Sequence, residues 1–338
     1  MRKKVLLVAN NDFALVNYRT SLIDRLCEEF DVFTVVTDAS KVSNMSCTGS
    51  VRRSSRIVVL DLIYLLFAIY QLNRCHRFYA VFSFTIFPGL VSGFFGRIFG
   101  YKHIHTVTGL GRLFDVNKET NFPIKALVRL CLSKSFALVF QTEQDLRAYE
   151  KIFVDRKLNG VVVNGSGVDL TSFPFYERHH RELDERVFVY VGRIKQDKGA
   201  RQILDAVKHI DEEGAPARFE LYGDFYLSEY LKRQILEYCE KGSLTYHGFS
   251  TDVAEALKSA DFLFYYSTYN EGIPRAILEA MSCGVVPVIN ERIYRASERI
   301  LSGAVVVNEC DFLSEVVRLA NIPEIELQSM RQRVRDVA

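Results

Sequence analysis

At 338 residues the chain is longer than one hydrophobic core ordinarily organises, and it suits two domains, each able to bury an interior of its own. Hydrophobic residues at 49% and charged residues at 25%, with no repeat or low-complexity tract, exclude a disordered or fibrous protein. The small net charge of +2 hides an asymmetry: residues 1–150 carry 19 Lys/Arg against 12 Asp/Glu, and residues 151–338 carry 24 against 29, so the first half is basic and the second acidic.

The first apolar run, VLLVA after MRKK, is five residues long and ends in Asn-Asn-Asp. That is too short for a secretory signal and predicts a first strand at 4–9. Further strands are predicted at 32–36, 56–60, 79–84, 102–107, 137–141 and 160–163, with helices between them at 18–29, 62–75, 90–99, 124–133 and 143–152. Such alternation predicts a parallel sheet covered by helices on both faces. The segment after the first strand, NNDFALVNYR, has no glycine where a dinucleotide fingerprint requires several, which argues against an NAD-dependent dehydrogenase.

One uncharged run, FYAVFSFTIFPGLVSGFFG at 78–96, has the length of a membrane span, but Pro88-Gly89 interrupts it and predicts strand, turn and short helix instead. The helix at 89–99 either packs into the core or lies in a membrane interface with Phe94, Phe95 and Phe99 toward lipid. The basic, aromatic stretches VRRSSR and FFGRIFGYKHIH suit an anionic lipid surface or a phosphorylated substrate, or form a solvated basic face. The seven cysteines are odd in number and scattered without ligand spacing, so no metal site is expected and a reducing cytosol is.

Residues 171–186 are polar and aperiodic and predict a linker. A second alternating unit follows, with strands at 187–191, 218–222, 244–247, 262–266, 285–289 and 304–307 and helices near 198–209, 227–240, 252–259, 274–282 and 311–320. The chain is thus expected to be α/β, two Rossmann-like doubly wound domains (1–172 and 173–338) facing across a cleft, with ligands at the carboxyl ends of the strands. Strand-end motifs there are VGRIKQDKG, with Gly192, Arg193 and Lys198; LYGDFY, with Gly223; and YHGF, with Gly248 and Phe249. Cations at such a position would neutralise a diphosphate leaving group.

The stretch YNEGIPRAILEAMSCG places Glu271 in a loop and Glu279 in the following helix, with Pro274 expected at its first position and Gly284 past its end. A helix N-terminus beside Gly272 offers free N–H groups to a phosphate. The two glutamates either clamp hydroxyls on each side of that phosphate, or Glu271 caps the helix and Glu279 makes a surface ion pair.

Together these motifs resemble the retaining glycosyltransferase family four, of GT-B architecture, over nearly the whole chain. ANNDFALVNYR, HTVTGLGRLF, VFQTEQD and NGSGVDL are similar to a bacterial subgroup that builds O-antigen and capsule repeat units. The resemblance implies a cytoplasmic hexosyl- or N-acetylhexosaminyltransferase, peripheral on the inner face of the bacterial cytoplasmic membrane. It would be retaining and metal-independent, and would use a nucleotide sugar, UDP-linked, as co-substrate with no bound cofactor. The implied acceptor is a polyprenyl-diphosphate-linked saccharide; no nucleic-acid partner is expected.

By the same likeness Arg193 and Lys198 hold the donor diphosphate, Glu271 the transferred sugar and Glu279 the ribose, with Gly192, Gly223, Gly248, Phe249, Gly272 and Ile273 lining the donor site. Asn11, Asp12, Arg19, Thr108, Gly109, Leu110 and Gly111 would meet the acceptor or the cleft, although Asp12 equally suits a helix cap. The sequence departs from the family where many members carry a His-Asp pair, since Thr108-Gly109 stands there. It also stops at RQRVRDVA, where relatives continue into a helix crossing back to the first domain. A nucleotide-sugar epimerase on this architecture, or an inactive binding relative, remains the alternative.

Overall fold

The computed structural model describes residues 2–38, 49–52, 58–108, 122–153, 158–163, 165–176, 185–268, 272–296 and 298–338. The chain divides into two compact units, Met1–Val163 and Asn164–Ala338.

Unit 1 is built on a parallel sheet of seven strands: β1 (Lys4–Asn11), β2 (Asp31–Asp38), β3 (Gly49–Arg52), β4 (Ala80–Phe84), β5 (Lys102–Val107), β6 (Ala137–Phe140) and β7 (Gly160–Val162), in the order β3-β2-β1-β4-β5-β6-β7. Its helices are α1 (Asp12–Glu29), α2 (Val58–His76), α3 (Ile86–Phe99), α4 (Phe122–Leu132) and α5 (Glu143–Glu150). Central β1 shows why this sequence makes a sheet buried on both sides. Leu6 and Val8 pack with Leu65, Ile69 and Phe95 of α2 and α3, while Val5, Leu7 and Ala9 pack with Leu15 and Ile23 of α1.

Three expectations for unit 1 are corrected. Residues 58–60 open α2 instead of forming a strand, and β3 lies earlier, at Gly49–Arg52; Val58, Val59 and Leu60 continue the apolar run of the helix, and that continuity overrides their β-propensity. Helix α1 begins at Asp12, directly after β1, six residues before the expected start. Helix α3 begins at Ile86, ahead of Pro88-Gly89. Pro88 is third in that helix, where an N–H would have no intrahelical partner, and the first bond runs from Gly89 N–H to the Thr85 carbonyl at 3.1 Å. On α3, Phe95 is buried, Phe99 packs partly against the core and Phe94 is exposed.

Beneath α3 lies a buried polar group. His103 and His105 of β5 share the Ser83 hydroxyl at 2.8 and 3.0 Å, and His103 Nδ1 is 2.8 Å from Ser135 Oγ. Gly89 makes this possible, because a Cβ there would stand 2.3 Å from the His105 ring. The pair is a structural element of the core.

Unit 2 holds a six-stranded parallel sheet: β8 (Arg186–Val191), β10 (Ala217–Tyr222), β12 (Leu244–Gly248), β13 (Phe262–Tyr265), β14 (Val286–Asn290) and β15 (Val305–Val307), ordered β12-β10-β8-β13-β14-β15. The short strands β9 (Ile194–Lys195) and β11 (Phe225–Tyr226) pair separately. Helices are α6 (Ala200–Glu213), α7 (Glu229–Lys241), α8 (Val253–Lys258), α9 (Arg275–Ser282), α10 (Glu291–Tyr294), α11 (Phe312–Ala320) and α12 (Glu324–Val337). Ser228 and Asp252 cap α7 and α8 through their side chains.

Helix α12 was not legible in the sequence; it buries Leu327, Arg331 and Val334, and Arg335 donates to the Ser282 carbonyl at 3.1 Å. Phe173 is buried in this core, and its carbonyl accepts from Ser282 Oγ at 2.6 Å, so residues 172–176 are packed structure and not a free linker. Pro274 is the N-cap of α9, one position before the expected one, and Gly284 follows the helix in the left-handed region, with φ 74°.

Candidate active site

In unit 2 the glycines of three sequence motifs meet at the carboxyl ends of β8, β10 and β12. Gly192 N–H donates to the Tyr222 carbonyl at 2.9 Å, Gly223 N–H to the Gly248 carbonyl at 2.7 Å, and Ile194 N–H to the Asp224 carbonyl at 3.0 Å. Gly223 has φ 142°, and a Cβ on it would lie 1.8 Å from the Gly192 carbonyl oxygen. Position 223 must therefore lack a side chain for the β8 and β10 loops to close on each other. Phe249 follows Gly248 and is exposed.

Arg193 leaves the β8 end with its side chain exposed. Its carbonyl accepts from the Tyr190 hydroxyl at 2.9 Å, and Tyr190 stacks on Tyr265 with centroids 5.7 Å apart. Lys198, half-buried, donates from Nζ to the Tyr265 hydroxyl at 2.9 Å. One tyrosine pair rising from β8 and β13 therefore holds the Lys198 ammonium and the backbone from which the Arg193 side chain projects.

The same loop is tied to the segment before α9. The Asp197 carbonyl accepts from Thr268 N–H at 3.0 Å, and Arg292 Nη1 donates to the Thr268 carbonyl at 2.8 Å. Gly199 allows the approach, since a Cβ there would meet the Tyr266 carbonyl at 2.4 Å. Gly272, Ile273 and Pro274 are buried ahead of α9.

Glu279 on α9 is 8% exposed, and its Oε1 accepts from Arg275 Nε at 2.6 Å. Burial raises its carboxyl above the ordinary range and the guanidinium opposes that rise. Glu279 thus has an ion-pair partner, one turn back on the same helix and withdrawn from solvent.

Glu271, Gly109, Leu110 and Gly111 lie outside the described residues. In unit 1, Asn11 closes β1 and Asp12 opens α1. Arg19 places its guanidinium 5.0 Å from the Phe84 ring, and Thr108 directly follows β5. These described candidates share the carboxyl-end side of their sheet, where open α/β sheets take ligands. Sequence reasoning missed Tyr190, Tyr265 and Arg275. The tyrosines looked like ordinary core-strand residues, whereas the i,i+4 spacing of Arg275 to Glu279 was a readable signal. Among the described residues no His/Cys/Asp/Glu group is arranged to hold a metal ion, and no helix is long and apolar enough to cross a membrane.

Residues 174–321 match the family described as glycosyl transferases group 1. A sucrose-phosphate synthase from Thermosynechococcus elongatus shares the fold, with a TM-score of 0.78 over 99% of this chain and 94% of that one at 16% identity. The chain has the GT-B fold, and its match to the glycosyl transferases group 1 family lies within the second unit.

Two curated relatives are similar in sequence. The N,N'-diacetylbacillosaminyl-diphospho-undecaprenol alpha-1,3-N-acetylgalactosaminyltransferase of Campylobacter jejuni is 26% identical over 200 residues, covering 55% of this chain and 51% of that protein. The UDP-Gal:alpha-D-GlcNAc-diphosphoundecaprenol alpha-1,3-galactosyltransferase of Escherichia coli is 25% identical over 287 residues, covering 79% and 73%. The chain thus spans about half the length of the first of these relatives.

Proposed function

We propose that the chain is a retaining, metal-independent glycosyltransferase of bacterial surface-polysaccharide assembly. It moves a hexosyl or N-acetylhexosaminyl group from a UDP-linked donor held by unit 2 to a polyprenyl-diphosphate-linked saccharide received by unit 1, at the inner membrane surface. The observation that carries this reading is the stitched strand-end loop of unit 2, which brings Gly192, Gly223 and Gly248 together and anchors Lys198 on Tyr265. The names of the two relatives, both acting on undecaprenyl-diphosphate sugars, support it.

In this reading the bond from the sugar's anomeric carbon to the diphosphate breaks while a bond to the acceptor oxygen forms on the same face. The acceptor's proton passes to the departing phosphate oxygen. Arg193 and Lys198 offset the charge that develops there, Glu271 holds the sugar's hydroxyls, and Glu279 offers the ribose the lone pairs that Arg275 leaves open. Asn11, Asp12, Arg19 and Thr108 position the acceptor.

The test is transfer by purified protein from a UDP-sugar to a diphosphate-linked acceptor, with Glu271→Ala expected to abolish it while the melting profile is unchanged. Wild-type turnover in that variant overturns the site assignment. Conversion of the UDP-sugar to an isomer without UDP release overturns the transferase reading.

A further inference from the structure

Three neighbouring helices of unit 1 leave apolar side chains in solvent. On α2, Ile63, Phe67 and Tyr70 share one face at helical spacing, and Phe67 is 63% exposed. On α3, Phe94 is exposed and Ile98 is 58% exposed; on α4, Leu127 and Leu130 are exposed. The helices abut. Tyr70 meets Phe99 of α3 with centroids 5.9 Å apart, and Arg97 of α3 donates to the Leu130 carbonyl of α4 at 3.0 Å. Large apolar residues grouped in this way mark an interaction surface.

Among the described residues of these three helices, the exposed charged side chains are all basic. The sequence from 62 to 114 contains no Asp or Glu, nor does 120–142. On the three helices the only acid is Asp61, whose Oδ1 is buried. Arg74, Arg97 and Arg129 are exposed, and Arg74 reaches the Tyr70 hydroxyl at 3.2 Å. A second copy of the chain is a poor occupant, because a symmetric interface would set these cations against their own copies.

We propose that the α2–α3–α4 face lies on an anionic bilayer, its aromatic and aliphatic side chains in the acyl boundary and its arginines at the phosphates. The mode is interfacial: among the described residues no helix is long and apolar enough to span. The face involves all three helices and not α3 alone, with Phe94 toward lipid and Phe95 in the core. The proposal rests on the lipid-linked acceptor reading for its purpose, but its physical test needs no sugar.

The experiment is co-sedimentation of the full chain with phosphatidylcholine vesicles made with and without phosphatidylglycerol. Wild type is expected to bind the anionic vesicles and hardly the neutral ones. The double variant Phe67→Glu/Ile98→Glu should lose about tenfold or more in binding, and Arg74→Gln about fivefold. Both should keep wild-type transfer to a water-soluble acceptor analogue, if that activity is present. If the double variant melts early, Arg74→Gln carries the test, being a surface change. No binding of wild type to anionic vesicles, or unchanged binding by the variants, overturns the proposal. So does a concentration-dependent dimer that the same substitutions disperse. Vesicle binding without any transfer would leave this face standing and defeat the enzymatic reading instead.

Discussion

Glu279 and Arg275 form an ion pair whose carboxylate has given up most of its water, with 2.6 Å between Arg275 Nε and Glu279 Oε1. A buried carboxylate that loses its ion-pair partner retains the desolvation cost without the attraction, which typically amounts to about 3 kcal/mol or more. Arg275→Met should therefore lower the melting temperature of unit 2 and weaken UDP binding together, and Arg275→Lys should restore part of both. Calorimetric melting and UDP titration check this; unchanged values in Arg275→Met would show that the pair neither stabilises α9 nor orients Glu279. The Lys198–Tyr265 hydrogen bond is a second such arrangement, a cation positioned by a hydroxyl from the core of the sheet.

The strand-end loops of unit 2 depend on backbone approach more than on any side chain. Gly223→Ala places a Cβ 1.8 Å from the Gly192 oxygen at φ 142°, so the β8 and β10 ends must separate; a cost of about 3 kcal/mol or more is expected, with UDP affinity lost in parallel. Gly214, at the end of α6 with φ 61° and nothing near its Cβ direction, is the control. Gly214→Asn should cost less than about 1 kcal/mol and leave UDP binding alone. Equal effects at the two positions in urea melts would defeat the argument.

These same loops show what the sequence made legible. VGR, YGD and HGF stood out because glycine after an apolar strand is a strong local signal, whereas their mutual hydrogen bonds arise from strand order, which no local pattern carries. Residues 58–60 misled for the complementary reason: Val-Val-Leu suits a strand or a buried helix equally, and only the neighbouring α2 decides. Helix α12 escaped notice because its polar face dominates and its few buried positions include an arginine, Arg331.

At the scale of the molecule, the division into a basic first half and an acidic second was visible in the charge counts, but the difference in acid response between the units was not, because it depends on burial. Unit 1 holds His103 and His105 in its core, where burial, together with the neighbouring imidazole for His103, depresses their pKa values to about 3 and about 4. A base depressed on folding contributes stability that is complete above its ordinary 6.5 and is lost as the pH falls toward those values. Asp145, next to the Thr142 cap of α5, behaves oppositely: burial raises it to about 6 against the Thr142 hydrogen bond. Its favourable share is complete below its ordinary 3.8 and is lost as the pH rises through 6, so acidification restores it. Between about pH 6 and pH 4, unfolding of unit 1 therefore takes up two protons at the histidines and releases one at Asp145, and its stability should fall by about 1.4 kcal/mol per pH unit. In unit 2 the raised carboxyl of Glu279 acts in the same sense as Asp145, so that unit gains no comparable acid sensitivity from it. The chain has no tryptophan, and scanning calorimetry is the suitable probe: the transition of unit 1 should separate downward from that of unit 2 as the pH is lowered through this range. Asp145→Asn removes the offset and should about double the slope for unit 1, whereas His105→Asn should reduce it. An acid response that neither substitution alters would place the proton uptake elsewhere than in the Ser83–His103–His105 group.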